Sequence, residues 1–316
     1  MPPTDEKNVD RTIFQEEWWL DCVTDGQFDV VTVKNTGQTI GWLPYAVRKR
    51  WGFRVSEMPF LTHTLGPVLA LASGRPNSQL LRNFSITSDL LQSLPKLAYF
   101  RQVLAPTQGE ALAYQAAGYE VKVQFTFIAD CVDIGAAWKN MRDKTRNLIR
   151  RSEEKSVVDA SGDPEEFIKY YDLNCKNRNR INQYWDPRTE KLLKLCVSRD
   201  RGKTFLSKDQ KTGAVNAGIF VVWDHTTMYF LMSTRAQDAA DSGTVSLLIW
   251  QAMNEAHRRG LKFDFDGVIS LGTFRFLSGF GGDIARRLVV EKFSLIYHAM
   301  DKTRALAYGN VRKPFS

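Results

Sequence analysis

The segment Leu261-Lys-Phe-Asp-Phe-Asp-Gly267 alternates aromatic rings with carboxylates. On an extended strand this puts Phe263 and Phe265 on one face and Asp264 and Asp266 on the other. A core strand cannot bury two unpartnered carboxylates. The acidic face is therefore expected to open onto a polar cleft, to pair with an arginine such as Arg275, or to lie in water. A cleft near the C-terminal end of a strand is where open α/β sheets bind ligands. A second group is basic: Lys139, Arg142, Arg146 and Arg150 recur at helical spacing beside an apolar stripe of Trp138, Met141, Thr145, Leu148 and Ile149. Only Asp143, Glu153 and Glu154 are acidic between Lys139 and Lys155. That face is either a solvated helix surface or the seat of a phosphate-bearing ligand. A third group, Cys175 to Trp185, mixes Arg178 and Arg180 with Tyr184 and Trp185. Such a loop is either plain surface or a grip for phosphates and a stacked base or sugar.

Other chemistries lack their residues. Cys22, Cys131, Cys175 and Cys196 form no C-x-x-C pair, and His63, His225, His257 and His298 stand far from them and from each other, so no metal framework is visible. There is no G-x-S-x-G elbow. His63, in the loop Thr62-His-Thr64 ahead of Leu65-Gly-Pro67, is carried as an acceptor contact. Trp42, Trp51, Trp138 and Trp250 read as core residues rather than stacking platforms.

The elements that must position these groups announce themselves locally. A single basic helix is expected from Gly135 through Ile149. Asp163-Pro164-Glu165-Glu166 supplies an N-cap, a first-turn proline and a capping glutamate for a helix running to about Arg178. Ser242 to Gly260 reads as a helix with Val245, Leu248, Ile249, Ala252 and Ala256 on its apolar face, basic residues at its end and Gly260 as its stop. Two stretches read as strand, Thr-Gly turn, strand: Val30 to Val47 around Thr36-Gly37, and Thr204 to Trp223 around Thr212-Gly213. Each is expected to continue into a third strand. Later in each half a helical stretch ends at glycine and feeds a strand: Ala111–Gly118 before Val121–Ile128, and Phe274–Gly282 before Arg287–Ile296. This order suggests one α/β unit used twice.

At 316 residues, 43% hydrophobic, 12% aromatic and 25% charged, the chain has the composition of an ordered globular protein of two modest domains or one large one, not of a disordered or fibrous one. The net charge of +8 suits a polyanionic partner without requiring it. The N-terminus lacks an apolar signal region and no apolar run is long enough for a bilayer, so a cytoplasmic protein with reduced thiols and no transmembrane segment is expected.

The run from Ser242-Gly-Thr-Val-Ser-Leu-Leu-Ile-Trp-Gln-Ala, through Phe263-Asp-Phe-Asp-Gly267, to Phe276-Leu-Ser-Gly-Phe-Gly-Gly282 resembles the FemAB-like branch of the GNAT acyltransferase superfamily. So does the basic segment Met141 to Lys155. The resemblance is strongest over residues 138–296 and implies an α/β fold with mixed sheets, two GNAT-like domains in tandem (1–134 and 135–316), and acyl or aminoacyl transfer to an amine. It implies two adjacent parallel strands that part, here Thr227–Thr234 and Leu261–Asp266, with the acyl carbonyl polarised by backbone N–H groups in the gap. Donor contacts are then expected from Arg142, Arg146, Arg150, Met232, Ser233, Thr234, Gly243 and Thr244, and acceptor contacts from His63, Tyr184 and Trp185. Asp266, with Asp264 beside it, would take the amine proton, and Arg275 would bind an acceptor carboxylate or phosphate. The co-substrate would be aminoacyl-tRNA or acyl-CoA, the acceptor a small-molecule or peptide amine, with no tightly bound cofactor and no metal. The alternative is a non-catalytic RNA- or phosphate-binding module on a degenerate GNAT fold. Two positions depart from the family pattern. Asp238-Ala-Ala-Asp-Ser-Gly-Thr-Val245 holds one glycine and two acids where acetyl-CoA-binding members have a glycine-rich loop, and Leu277 stands where the cell-wall transferases have lysine.

Overall fold

The computed structural model of the protein describes residues 11–106, 111–237 and 243–307, with backbone alone for 304–307. The stretch Asp238–Ser242, part of the glycine-poor loop noted above, lies outside the described residues. The chain divides into two compact units. One takes in the chain up to Gln124 and resumes at Arg286; the other is Phe125–Ala285. The cut expected between residues 134 and 135 thus falls about ten residues past the change of unit at Gln124, and the C-terminal stretch returns to the first unit.

In chain order the elements are α1 (Glu17–Thr24), β1 (Phe28–Asn35), β2 (Gln38–Ala46), β3 (Arg48–Arg50), β4 (Phe53–Ser56), β5 (Val68–Leu69), α2 (Pro76–Gln92), β6 (Tyr99–Val103), α3 (Ala111–Ala116), β7 (Glu120–Ala129), α4 (Ile134–Asn140), α5 (Asp143–Glu153), β8 (Ser156–Gly162), α6 (Pro164–Asn177), α7 (Pro187–Ser198), β9 (Gly202–Asp209), β10 (Val215–Trp223), β11 (Thr227–Arg235), α8 (Thr244–Arg258), β12 (Lys262–Gly267), α9 (Leu271–Leu277), β13 (Asp283–Phe293) and α10 (Leu295–Ala307). This is the expected α/β class with mixed sheets.

In the first unit β1 and β2 form the expected hairpin, with Thr36 and Gly37 both at positive φ. The expected third strand does not continue it. Trp51 and Gly52 also take positive φ, so Arg48–Ser56 closes on itself as a second hairpin, β3–β4, and β5 pairs with β2 instead. Leu43, Tyr45, Ile86, Leu90, Phe100, Tyr114 and Val290 form this unit's main core.

In the second unit β8, β9, β10, β11 and β12 stand side by side, followed by the C-terminal part of β7. Here the hairpin β9–β10 does run on into a third antiparallel strand, β11. The apolar face of α8, with Leu248, Ile249, Ala252 and Ala256 fully buried, packs among Ala217, Ile219, Val221, Phe263 and Phe265. Burying such side chains contributes roughly 2 kcal/mol each. The single basic helix expected from Gly135 is two helices. Met141 and Arg142 are extended, ending α4 and capping α5. The cause lies far along the chain. The Arg142 N–H donates to the Gly279 carbonyl at 2.9 Å, and Gly281, at φ +76°, passes so close to Asn140 that a Cβ there would stand 2.4 Å from its carbonyl oxygen.

Candidate functional site

β11 and β12 are parallel and paired at Thr227↔Lys262, Met228↔Phe263 and Tyr229↔Asp264, after which their pairing stops. Two irregularities set that point. On β11, Phe230 and Met232 face Val221 and Phe220 in succession, so Leu231 is an extra residue that bulges the strand. On β12, Asp264 pairs with Ile128 but the next partner of β7, Thr126, faces Gly267. Phe265 and Asp266 therefore span the space of one residue, and Asp266 takes φ +72°. Phe265 turns inward against Phe263 and Phe280.

This bulge changes the reading of the two carboxylates. Asp264 is 1% exposed, so its carboxylate does not lie in water. Its Oδ1 sits 2.5 Å from the Thr126 hydroxyl and accepts the Asp266 N–H at 3.0 Å, while the same hydroxyl lies 2.6 Å from the Asp266 carbonyl oxygen. Asp264 is a positioning group for the bulge, not a second acid-base residue. Asp266 is half-buried and close enough to Tyr184 that burial first, and then the Asp266 carboxylate, push that phenol's pKa up. The structure thus brings together Asp266 and Tyr184, eighty-two positions apart in sequence.

Beside this region a cleft of about 870 Å³ opens at the N-terminus of α8. Gly243, Thr244, Val245 and Ser246 line it, with Arg142 and Lys144 from the start of α5, Arg235 from the end of β11 and Arg275 from α9. Among the described residues no acidic side chain lines it. First-turn N–H groups, the helix macrodipole and converging cations make an anion site of this cleft. Glycines bring its walls together. Gly243, at φ +77°, approaches the Leu148 carbonyl so closely that a Cβ would lie 2.7 Å away, and a Cβ on Gly279 would stand 2.4 Å from the Thr145 hydroxyl. Arg275 is exposed on α9, in the stretch read as helical, and lines the α8 cleft rather than meeting Asp264.

The basic stripe is divided in the same way. Arg142 lines the cleft, whereas Arg146 donates to the carbonyls of Trp138 at 3.2 Å and Lys139 at 2.7 Å and pairs with Asp143, closing the end of α4. Arg150 lies over the Trp138 ring, 5.5 Å from its centroid. Lys144 and Arg235 were not singled out from sequence. Lys144 lay within the basic run, but nothing in the pattern distinguished it from its neighbours.

A second cleft, of about 670 Å³, lies between α6 with its following loop and β11. Arg178, Arg180, Ile181 and Gln183 line one side and Ser233 and Thr234 the other; Arg235, Val245 and Phe276 line both clefts. Buried Asn174 donates to the Thr234 hydroxyl at 3.1 Å, and Arg178 donates to the carbonyls of Arg235 and Ala236 at 2.7 and 2.8 Å. Met232 is buried and lines neither cleft. The Tyr184 ring stacks edge-on to Tyr171, a cleft residue, at 5.4 Å between centroids, while Trp185 is 75% exposed. His63 belongs to the first unit, its ring 5.0 Å from that of Phe14. Among the described residues no group of three or more His, Cys, Asp or Glu side chains is placed to hold a metal ion.

Residues 137–276 match the family model of the acetyltransferase (GNAT) domain. Among solved structures the chain is similar to FemX, at 12% identity with a TM-score of 0.65 over 90% of this chain and 92% of that one. It is also similar to the C-terminal domain of a putative lysylphosphatidylglycerol synthetase from Agrobacterium fabrum (14% identity, TM-score 0.56, 90% and 91% covered). A third similar structure is L-PGS from Bacillus licheniformis (12% identity, TM-score 0.53, 93% and 92% covered). No curated protein sequence matches the chain. Residues 137–276 are thus similar to the acetyltransferase (GNAT) domain, and the chain carries the fold of FemX.

Proposed function

We propose that the unit of residues 125–285 transfers an activated acyl or aminoacyl group from a phosphate-bearing donor to an amine. The observation that carries this reading is that the cationic cleft at the α8 N-terminus and the cleft beside α6 meet at Arg235, Val245 and Phe276, next to the place where β11 and β12 part. Donor phosphates sit on the first-turn N–H groups of α8 with Arg142, Lys144 and Arg275. The acyl carbon lies in the strand gap, where N–H groups of β11 not used by β12 hold the oxyanion. The acceptor amine enters from the α6 side and attacks the carbonyl. Its proton passes to Asp266 and from there to the donor oxygen or sulfur as the bond between that atom and the carbonyl carbon breaks, so the donor leaves protonated and Asp266 is regenerated as the carboxylate.

The donor is aminoacyl-tRNA or acyl-CoA. The α8 cleft suits either, since both present phosphate to a helix N-terminus. The aminoacyl donor comes first for testing because lysine transfer is in the name of the similar Agrobacterium fabrum protein. Both clefts are open rather than filled by aromatic rings, which favours transfer over the non-catalytic binding module. The test is incubation of the protein with radiolabelled aminoacyl-tRNA and, separately, a panel of acyl-CoAs. Amine-dependent discharge of one donor class is expected, slowed by Asp266→Asn; discharge of neither would leave the binding module as the function.

A further inference from the structure

The rim of the α6-side cleft has a second character that acyl transfer does not use. The loop after α6 carries Ile181, 88% exposed, and Trp185, 75% exposed. The segment leading into α9 carries Ile269, 79% exposed, and Leu271, 53% exposed. Ile181 on one side and Thr273 and Phe276 on the other line the same cleft. Both segments are tied down. Asn182 accepts the Tyr184 N–H at 2.8 Å, the Thr189 hydroxyl donates to the Tyr184 carbonyl at 3.0 Å, and Arg178 anchors the loop base to β11. On the opposite side Ser270 caps α9 by accepting the Thr273 N–H at 3.1 Å. Hydrogen bonds thus hold large apolar side chains out in water at fixed positions, an arrangement that lowers solubility unless something covers them.

The charge beneath the rim names the cover. Arg180, Arg235 and Arg275 lie within the clefts, and among the described residues no acidic side chain lines either. Two carboxylates on the α6 side are closed by cations: Asp172 pairs with Lys176 and Asp186 with Arg188. Apolar side chains with an indole at the rim and guanidinium groups behind them match the order of groups at a bilayer surface, where acyl chains and phosphates meet. Among the described residues no helix is long and apolar enough to cross a membrane, so this is attachment to a surface and not insertion of a span.

We infer that the rim formed by Ile181, Trp185, Ile269 and Leu271 docks the protein on a membrane of anionic phospholipid, with Arg180 against the headgroup phosphates. The inference goes beyond the transfer reaction and stands or falls without it. The test is co-sedimentation of the full chain with vesicles of phosphatidylcholine containing one third phosphatidylglycerol, against pure phosphatidylcholine vesicles, over a salt series. Binding to the anionic vesicles is expected, weakening with salt, and the variant I181S/W185S/I269S is expected to lose about tenfold or more of its partitioning. Because these side chains are exposed, its thermal unfolding should match the parent. As a check free of that variant, lipids brominated on their acyl chains should quench fluorescence in the parent more than in W185F. No binding to anionic vesicles, binding unaffected by the triple substitution, or quenching equal in W185F would each overturn the proposal. So would full displacement from the vesicles by tRNA together with weakened tRNA binding in the triple variant, which would make the rim's partner a nucleic acid.

Discussion

The backbone N–H of Asp266 donates to Oδ1 of Asp264 at 3.0 Å, so that one carboxylate of the pair holds the other in place. With Thr126 reaching the same oxygen from β7, Asp264 is fully engaged inside the sheet, and Asp266 is left at the bulge in a left-handed conformation that aspartate and asparagine tolerate. The two positions should therefore respond differently. Asp264→Ala removes the acceptor of the Asp266 N–H and one of the acceptors of the Thr126 hydroxyl, and should cost about 2 kcal/mol in denaturant unfolding. Asp266→Asn should leave unfolding nearly unchanged but lower turnover by about a hundredfold, with donor binding retained. Equal losses of stability at both sites would remove the distinction.

The α8 cleft depends on close glycine contacts, and one of them can be tested by relief. Gly279→Ala would place its Cβ 2.4 Å from the Thr145 hydroxyl oxygen, with the next Thr145 atom at 3.7 Å. The single substitution should destabilise by about 2 kcal/mol through overpacking, and Thr145→Ala in the same chain should restore much of that. Thermal melts of the two single variants and the double variant give the coupling directly. Additive losses would mean that the strain lies elsewhere.

Arg142 and Arg146 stand four residues apart but have different work. Replacing Arg142 and Arg275 together with alanine should weaken donor binding by roughly tenfold or more at low salt, and the difference from the parent should narrow as salt rises, because it is an electrostatic contribution. Arg146→Ala should instead lower the melting temperature, since it unties the carbonyls of Trp138 and Lys139. Titrating a fluorescent donor against each variant separates the two effects.

Much of this arrangement is written in short stretches of sequence. Asp163-Pro164 starts α6, Gly260 stops α8, and Thr36-Gly37 turns the first hairpin, because caps and turns are decided by residues a few positions apart. The break at Met141-Arg142 is not legible in that way. Its cause is Gly279 and Gly281, nearly 140 positions later, so the helical spacing of the basic residues continued through a place where the chain does not. The fate of Asp264 was hidden for the same reason: its partner Thr126 comes from a strand that enters the sheet from the other side of β12.

A buried charge cluster gives the second unit a defined acid limit. Burial alone would raise the Glu255 pKa, but hydrogen bonds from Arg258, from Arg259 at 2.8 Å and from Lys203 at 3.2 Å hold it down at about 2, against an ordinary 4.5. A carboxyl group lowered on folding contributes stability that is complete above its unfolded value and is lost as pH falls toward its folded one. Between pH 4.5 and about 2 the protein should therefore lose stability that Glu255→Gln does not lose over the same range. Melting curves taken at intervals across that window test it, and parallel declines for the two proteins would count against the cluster.

The lock of Thr126, Asp264 and Asp266 also bears on timing. Because the point where β11 and β12 separate is fixed by a third strand, the gap that would receive an acyl group is preformed and needs no rearrangement on arrival of the donor. On the proposed function, donor association should then follow a single phase whose rate falls as salt screens the positive potential around the α8 cleft.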